Sequence, residues 1–218
     1  MTKTKFIAAA AALALASGAS AAAQAQDFQP KAQGMFVIDA RVSDVSPDAN
    51  DPIKTGAGAN TGLRVDISDS VMPTLGFTYF VTDHIAVEAI LGTTFHTIRA
   101  EGGGTNLKVA NTWVLPPVVS LQYHFWPKAR FSPYVGGGLN TMIYYGGANF
   151  NGFQTHLHNS VGGAVQFGAD YAIKGRWAAN FDVKKVFVES DAIVDGGALR
   201  SNVHLDPWVI SLGVGRRF

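Results

Sequence analysis

The sequence predicts an all-β protein: an eight-stranded antiparallel transmembrane β-barrel with short periplasmic turns and longer extracellular loops. Three observations predict this fold class. Apolar and polar residues alternate with period two in eight segments, as in strands with unlike faces. The connections between these segments alternate between long and short. The mature chain has no run of 18 apolar residues, which is the length a membrane-spanning helix needs.

The eight segments each have one apolar and one polar face. In the first segment, apolar residues at 36, 38, 40 and 42 oppose Asp39 and Arg41. The fifth segment differs because it is rich in glycine. The segments lie at residues 36–42, 74–81, 85–96, 113–124, 135–141, 160–171, 177–184 and 210–218. Their polar faces carry, in chain order, Asp39, Arg41, Glu88, His96, Gln122, His124, Asn140, Gln166, Asp182, Lys184 and Arg217.

The connections predict which end of the barrel carries the loops. Long connections occupy residues 44–70, 100–111, 145–156 and 190–202, whereas residues 82–84, 126–130 and 174–176 form short turns. Because consecutive strands are expected to run antiparallel, all long loops leave one end of the sheet and all short turns leave the other. The chain after residue 25 is therefore expected to form one domain, residues 26–218.

The first 25 residues have the pattern of a secretory signal peptide. Lys3 and Lys5 precede eleven apolar residues at 6–16, and Ala23-Gln24-Ala25 has the form of a cleavage site. Eleven apolar residues are too few to span a bilayer, which needs ~20. The sequence therefore predicts export through a cleaved signal peptide, and together with the predicted transmembrane barrel this implies the outer membrane of a Gram-negative bacterium.

Composition excludes several classes of function. The 218 residues contain no cysteine, so no disulfide framework, thiol nucleophile or Cys-ligated metal is available. Because 17 Lys and Arg balance 16 Asp and Glu, there is no basic surface for a nucleic acid. The glycine-rich runs lack the Lys and Ser/Thr of a phosphate-binding loop. We expect no cofactor and no metal.

Alternation alone does not say whether the apolar face points to a core or to lipid. Lipid is favoured because the strand number is even, because the loops are segregated by length, and because aromatic residues gather near strand ends. The polar face mixes Gly, Ser, Gln, Asn and His with balanced charges, a composition that suits a narrow eight-stranded lumen. Phe218 closes an outward-facing C-terminal strand and resembles the signal that outer-membrane assembly machinery reads.

Four runs resemble the OmpW family of small bacterial outer-membrane proteins. They begin at Pro73 (PTLGFTYFVTD), Leu115 (LPPVVSLQYHF), Ser132 (SPYVGGGLNT) and Asp206 (DPWVISLGVGRRF), and together they span most of the mature chain, from residue 73 to residue 218. The resemblance implies an eight-stranded outer-membrane barrel with a narrow, partly apolar channel for small hydrophobic molecules. It also implies contact with outer-membrane lipids and lipopolysaccharide.

Prolines within the strands suggest a path for such a molecule. Pro116 and Pro117 lie inside the fourth segment and Pro73 at the start of the second, and each lacks the N–H that a closed ladder uses. One hypothesis is a lateral exit, at Pro73, Pro116 and Pro117, from an external hydrophobic pocket into the bilayer. The alternative is a tolerated bulge rescued by water or side chains.

Other functions remain open from the sequence. His156 and His158 would share a face but no third metal ligand is identifiable, and Ser120 and His124 lie ~13 Å apart along a strand, beyond hydrogen-bond reach. We therefore expect no enzyme, although a lipid-modifying barrel enzyme is an alternative. The second alternative is a structural or receptor protein whose acidic loop at 44–70 binds a phage, a colicin or a host surface.

Overall fold

The computed structural model describes residues 27–218. The predicted signal peptide, residues 1–25, lies outside the described residues. Fifteen strands are present among the described residues. They are β1 (Phe36–Ser46), β2 (Pro52–Thr55), β3 (Asn60–Ile67), β4 (Ser70–Phe80), β5 (Ile85–Gly92), β6 (Thr94–Gly102), β7 (Thr105–Leu115), β8 (Val118–His124), β9 (Phe131–Asn149), β10 (Thr155–Leu157), β11 (Ser160–Lys174), β12 (Trp177–Phe187), β13 (Glu189–Val194), β14 (Leu199–His204) and β15 (Trp208–Arg217).

Eight of these strands close into a barrel. Their order around the ring is β1, β4, β5, β8, β9, β11, β12 and β15, and every neighbouring pair is antiparallel. The ring closes where β15 pairs with β1, from Val37 opposite Arg217 to Ser46 opposite Trp208. The predicted eight-stranded antiparallel barrel is confirmed. The only helical element among residues 27–218 is a 3-10 turn at Asp195–Gly197, and no helix there is long and apolar enough to cross a membrane.

The long connections lie at one end of the ring and are themselves largely β-structure. They fold into β2, β3, β6, β7, β10, β13 and β14, which extend the barrel wall beyond the ring together with the last residues of β9. The reason is that alternation continues through them: Val65 and Ile67 on β3 and Val203 on β14 point inward and are buried. We call this part of the wall the upper extension.

The two faces of the ring have opposite chemistry. Large apolar side chains such as Leu75, Leu139 and Leu212 are exposed on the outside. Polar and charged side chains fill the lumen and are buried. Because a soluble protein would bury the apolar face instead, this arrangement is the one that hydrocarbon favours.

The prolines lie elsewhere in the strands than expected. Pro73 is the fourth residue of β4, not its first, because β4 begins at Ser70. Pro116 and Pro117 do not lie inside one strand, since β7 ends at Leu115 and β8 begins at Val118. The missing N–H groups of the two prolines explain why the ladder stops there.

Candidate functional site

An apolar cavity of about 150 Å³ occupies the upper extension. It reaches from Lys184 at the bottom to Phe153 and Leu199 near the loop tips. We call it the upper pocket. Most of the side chains that line it are aliphatic, among them Val65, Ile67, Ile98, Val109, Val114, Met142, Leu157, Val186, Val203 and Leu205.

Hydroxyl and amide groups form the floor of the upper pocket. Ser43 Oγ lies 2.7 Å from Thr74 Oγ1 and 2.7 Å from Ser211 Oγ, so one hydroxyl chain crosses β4, β1 and β15. Asn140 donates from Nδ2 to the carbonyl oxygen of Pro117 at 3.1 Å. The three hydroxyls bond to one another and Asn140 Nδ2 bonds to the backbone, whereas Asn140 Oδ1 is buried without a hydrogen-bond partner.

A layer of paired charges fills the lumen below this floor. Arg41 donates from Nη2 to Glu88 Oε1 at 2.7 Å and to Asp39 Oδ2 at 3.0 Å. Lys184 Nζ lies 3.0 Å from Glu88 Oε2 and 2.5 Å from Asp182 Oδ1. We call these five residues the charge layer. Because burying an unpaired charge is costly, the layer is stable only as a connected network, and it closes the lumen.

A second cluster of polar side chains lies nearer the short turns, and its central residue was missed by the sequence reasoning. Lys31 is 2% exposed, and its Nζ contacts Asp170 Oδ2 at 2.6 Å, His124 Nδ1 at 2.8 Å and Ser132 Oγ at 2.9 Å. Lys31 precedes the first strand, where a lysine normally lies in solvent. The one feature of the sequence that could have indicated this burial is the position of Lys31, directly after Pro30 and shortly before an alternating segment.

Residues 27–35 carry Lys31 across the lower mouth of the barrel. Gln29 N donates to Gly175 O at 2.7 Å in the turn between β11 and β12, and Lys31 N donates to Pro127 O at 3.0 Å in the turn between β8 and β9. Gln33 N then donates to Asp83 Oδ1 at 2.9 Å in the turn between β4 and β5. This segment therefore ties three short turns together before the chain enters β1.

The structure places all eleven polar residues that the sequence assigned to the lumen among the buried ones. Five of them form the charge layer, and a sixth, His124, contacts Lys31 as described above. His96 is not in the ring: it lies on β6 beside the upper pocket, with Nδ1 2.7 Å from Ser68 O. Asp170 and Asn180, on the polar faces of the sixth and seventh segments, join the network together with Lys31 and Tyr134, which the sequence did not assign to the lumen, through bonds such as Tyr134 Oη to Asp182 Oδ2 at 2.8 Å.

The candidate catalytic and metal residues do not come together. Ser120 Oγ bonds to Glu88 Oε2 at 3.4 Å, whereas His124 Nε2 bonds to Gln122 Oε1 at 3.0 Å. His156 and His158 lie outside the pocket on the upper extension. Within residues 27–218, no group of three or more His, Cys, Asp or Glu side chains is arranged to hold a metal ion.

The wall of the barrel has a short interruption, which we call the seam, where residues 91–93 face residues 115–117. Below it Ile90 pairs with Val118, and above it Thr94 pairs with Val114. Both pairs belong to the same register, so Gly92 lies opposite Pro116 with no bulge between the strands. Three residue pairs without a ladder span ~10 Å along the strands. The seam borders the upper pocket, since Ile90, Thr94, Val114, Pro116 and Val118 line that cavity.

Pro73 lies one strand away from the seam. It faces lipid on β4, opposite Val42 on β1. Its carbonyl oxygen would lie 3.2 Å from a Cβ atom built on Gly92. Pro73 therefore packs against the glycine of the seam, and the ladder between β4 and β5 ends beside it, at the pair of Thr74 with Gly92.

Phe218 ends the chain on the lipid side of the barrel. Its side chain is exposed, and its backbone N donates to Phe36 O at 2.7 Å. The last residue is thus paired to the first strand, where the ring closes.

The chain is similar to known outer-membrane proteins. The model of the OmpW family matches residues 32–218. The uncharacterized outer-membrane protein y4mB of Sinorhizobium fredii is 42% identical over 161 residues, covering 72% of this chain and 70% of that protein. The dibenzothiophene metabolism operon protein PahQ of Pseudomonas aeruginosa is 27% identical over 181 residues, covering 81% and 85%. The crystal structure of the outer membrane protein OprG from P. aeruginosa superposes with a TM-score of 0.82 at 26% identity, covering 88% of this chain and 99% of that one.

Proposed function

Because the chain belongs to the OmpW family of outer-membrane barrels, we propose that it is a passive conduit that carries small hydrophobic molecules through the outer membrane. One observation carries this proposal: an apolar pocket lies at the end with the long connections and is closed below by paired charges. That end faces outward in a barrel of this kind. The relative from a dibenzothiophene metabolism operon supports an apolar solute, since its name links it to an aromatic compound.

The first step is entry from outside. An apolar solute crosses the polar sugar layer of lipopolysaccharide poorly, but it gains ~25 cal/mol for each Å² of apolar surface that it buries in the upper pocket. The mostly aliphatic lining supplies that surface, so an apolar solute gains more free energy there than a polar solute of the same size. The pocket therefore favours apolar solutes over polar ones.

In the second step, the solute leaves the upper pocket sideways through the wall of the barrel. The charge layer and residues 27–35 block the way down, and a solute that displaced them would leave buried charges unpaired. The seam offers a different route, because no backbone hydrogen bond has to break where Pro116 and Pro117 lack N–H groups. We propose that the solute leaves between β5 and β8 into the bilayer, with Gly92 and Pro116 facing each other across the opening.

The conduit needs no chemical step. We propose no enzymatic activity, no cofactor and no energy source, because entry and exit both run down a gradient of apolar solvation. Export by the signal peptide at residues 1–25 and recognition of Phe218 by the assembly machinery would bring the protein to the membrane. Its lipid partners there are outer-membrane lipids and lipopolysaccharide.

Restoring the ladder tests the lateral exit. The double variant Pro116→Val/Pro117→Thr returns two N–H groups to the seam, and Pro133→Thr is the matched control at a lipid-facing proline on β9, far from the seam. The measurement is uptake of N-phenyl-1-naphthylamine, an apolar fluorophore, by intact Gram-negative cells that produce equal amounts of folded protein.

We expect the double variant to lower uptake to the level of cells without the protein, and the control to leave it unchanged. If the folded double variant takes up the probe as fast as the unaltered protein, the proposal of a lateral exit is wrong. If the unaltered protein adds nothing to uptake, the conduit itself is wrong.

A further inference from the structure

A hydrogen-bonded pair of side chains crosses the outside of the seam. Tyr145 on β9 places its hydroxyl against the Thr93 hydroxyl, and Thr93 lies between β5 and β6. Tyr145 is in register with Trp113 on β7, so its side chain reaches past β7 to the next strand. From this geometry we infer that Tyr145 and Thr93 form a latch that holds the seam closed. The inference rests on the proposed lateral exit.

The direction of the hydrogen bonds explains how the latch works. Thr93 Oγ1 donates to Val114 O at 3.2 Å, and a hydroxyl has one proton to give. Tyr145 therefore donates to Thr93, and the two bonds form a relay from β9 through Thr93 to β7. This relay connects the strands at the upper edge of the interval in which the prolines supply no backbone donor.

Aromatic packing places the tyrosine in this position. The Trp113 ring lies between Phe95 and Tyr145, with ring centroids 4.9 Å and 6.5 Å apart, and all three side chains face lipid. Because each ring limits the movement of the next, the Tyr145 hydroxyl is held over the seam. A polar group on the lipid face has no water to replace a lost partner, so the closed seam is the state that satisfies both hydroxyls.

The latch sets how often the seam opens, and it does not contribute to the affinity of the pocket. Neither Thr93 nor Tyr145 lines the upper pocket. Removing one hydrogen bond of this kind changes an equilibrium by about three- to tenfold. We therefore expect the open population to rise by that factor when the latch is cut.

Three variants test the latch. Tyr145→Phe removes the hydroxyl but keeps the ring, Thr93→Val removes the acceptor at nearly constant shape, and Thr93→Ser keeps the hydroxyl. Tyr171→Phe is the control, because Tyr171 is also a lipid-facing tyrosine but lies on β11. Two quantities are measured: the uptake rate of N-phenyl-1-naphthylamine by intact cells, and the affinity of the purified protein in nanodiscs for the same probe.

We expect Tyr145→Phe and Thr93→Val each to speed uptake about three- to tenfold, with no larger effect when they are combined. Affinity should stay constant, and Thr93→Ser and Tyr171→Phe should match the unaltered protein. If the unaltered protein supports uptake and the two latch variants do not change the rate, the latch is wrong and the conduit stands. If the unaltered protein neither binds the probe nor speeds its uptake, the proposed function fails instead.

Discussion

Glu88 and Lys184 meet across the lumen, with 3.0 Å between Glu88 Oε2 and Lys184 Nζ, although β5 and β12 lie on opposite sides of the ring. Two side chains can meet in this way only because an eight-stranded barrel is barely wider than its own contents. Arg41 binds the other oxygen of Glu88 at 2.7 Å. One carboxylate therefore bridges two cations from different walls, each of which also pairs with a second carboxylate, Asp39 or Asp182.

Loss of this carboxylate should destabilise the barrel. We expect Glu88→Gln to lower the free energy of unfolding by about 3–5 kcal/mol, because Arg41 and Lys184 each lose a buried charge-assisted hydrogen bond and keep only Asp39 and Asp182, respectively. Glu101→Gln, at an exposed pair with Asn106 on the upper extension, should cost less than about 1 kcal/mol. Urea unfolding in lipid vesicles measures both, and equal losses would contradict the central role of Glu88.

Lys31 should contribute as much to the stability of the barrel as a charged residue of the ring does, although it precedes the first strand. Lys31→Met would leave Asp170 buried without its cation, so we expect a loss of about 3–5 kcal/mol and faster proteolysis of residues 27–35. Lys128→Met changes a side chain that is 75% exposed and should have little effect. If Lys31→Met unfolds at the same urea concentration as the unaltered protein, the segment is not anchored by this side chain.

Gly138 allows β9 to approach β8 closely. A Cβ atom at this position would lie 2.1 Å from Val119 O and 2.5 Å from Ser120 Cα, and neither backbone atom can move without breaking the pairing of the two strands. We expect Gly138→Ala to cost at least about 1–3 kcal/mol or to prevent folding. Gly163→Ala is the control, since nothing lies within 4 Å of its Cβ position. The gel shift between folded and heated protein measures the outcome, and normal folding of Gly138→Ala would refute this packing.

His204 should make the upper extension sensitive to pH. Its Nδ1 lies 2.9 Å from Asp51 Oδ1 and its Nε2 lies 3.2 Å from Glu189 Oε1. Both nitrogens donate only when the ring is protonated, and the hydrogen bond to Asp51 raises the pKa of His204 above its usual value. Because the folded pKa is raised, the stabilisation is complete below about pH 6.5 and is lost as the pH rises through the folded pKa.

Two measurements check this pH dependence. In an NMR titration of the imidazole, His204 should titrate above pH 6.5, and Asp51→Asn should bring its pKa down toward that value. Amide protection factors in β13 and β14 should fall as the pH is raised from 6 to 8 in the unaltered protein and change less in the variant. If His204 titrates at the same pH with and without the Asp51 carboxylate, the contact between Asp51 and His204 does not make the upper extension sensitive to pH.

Much of the ring was predictable from the sequence by itself. Alternation with period two determined which side chains face lipid and which face the lumen, as Leu212 and Ser211 show, because successive residues of a strand point to opposite faces. The same pattern, with the lengths of the connections, determined the number and direction of the eight strands. The polar residues of the charge layer could be named for the same reason.

Only the tertiary structure decided how those residues meet. Strand registers set the pairing of Glu88 with Lys184 and placed Gly92 opposite Pro116, and register depends on contacts between segments far apart in the chain. The burial of Lys31 likewise depends on the closed ring, since its partners Asp170 and His124 lie on strands that join only when the barrel forms. Local pattern determines which face a residue occupies, whereas closure of the sheet determines its neighbours.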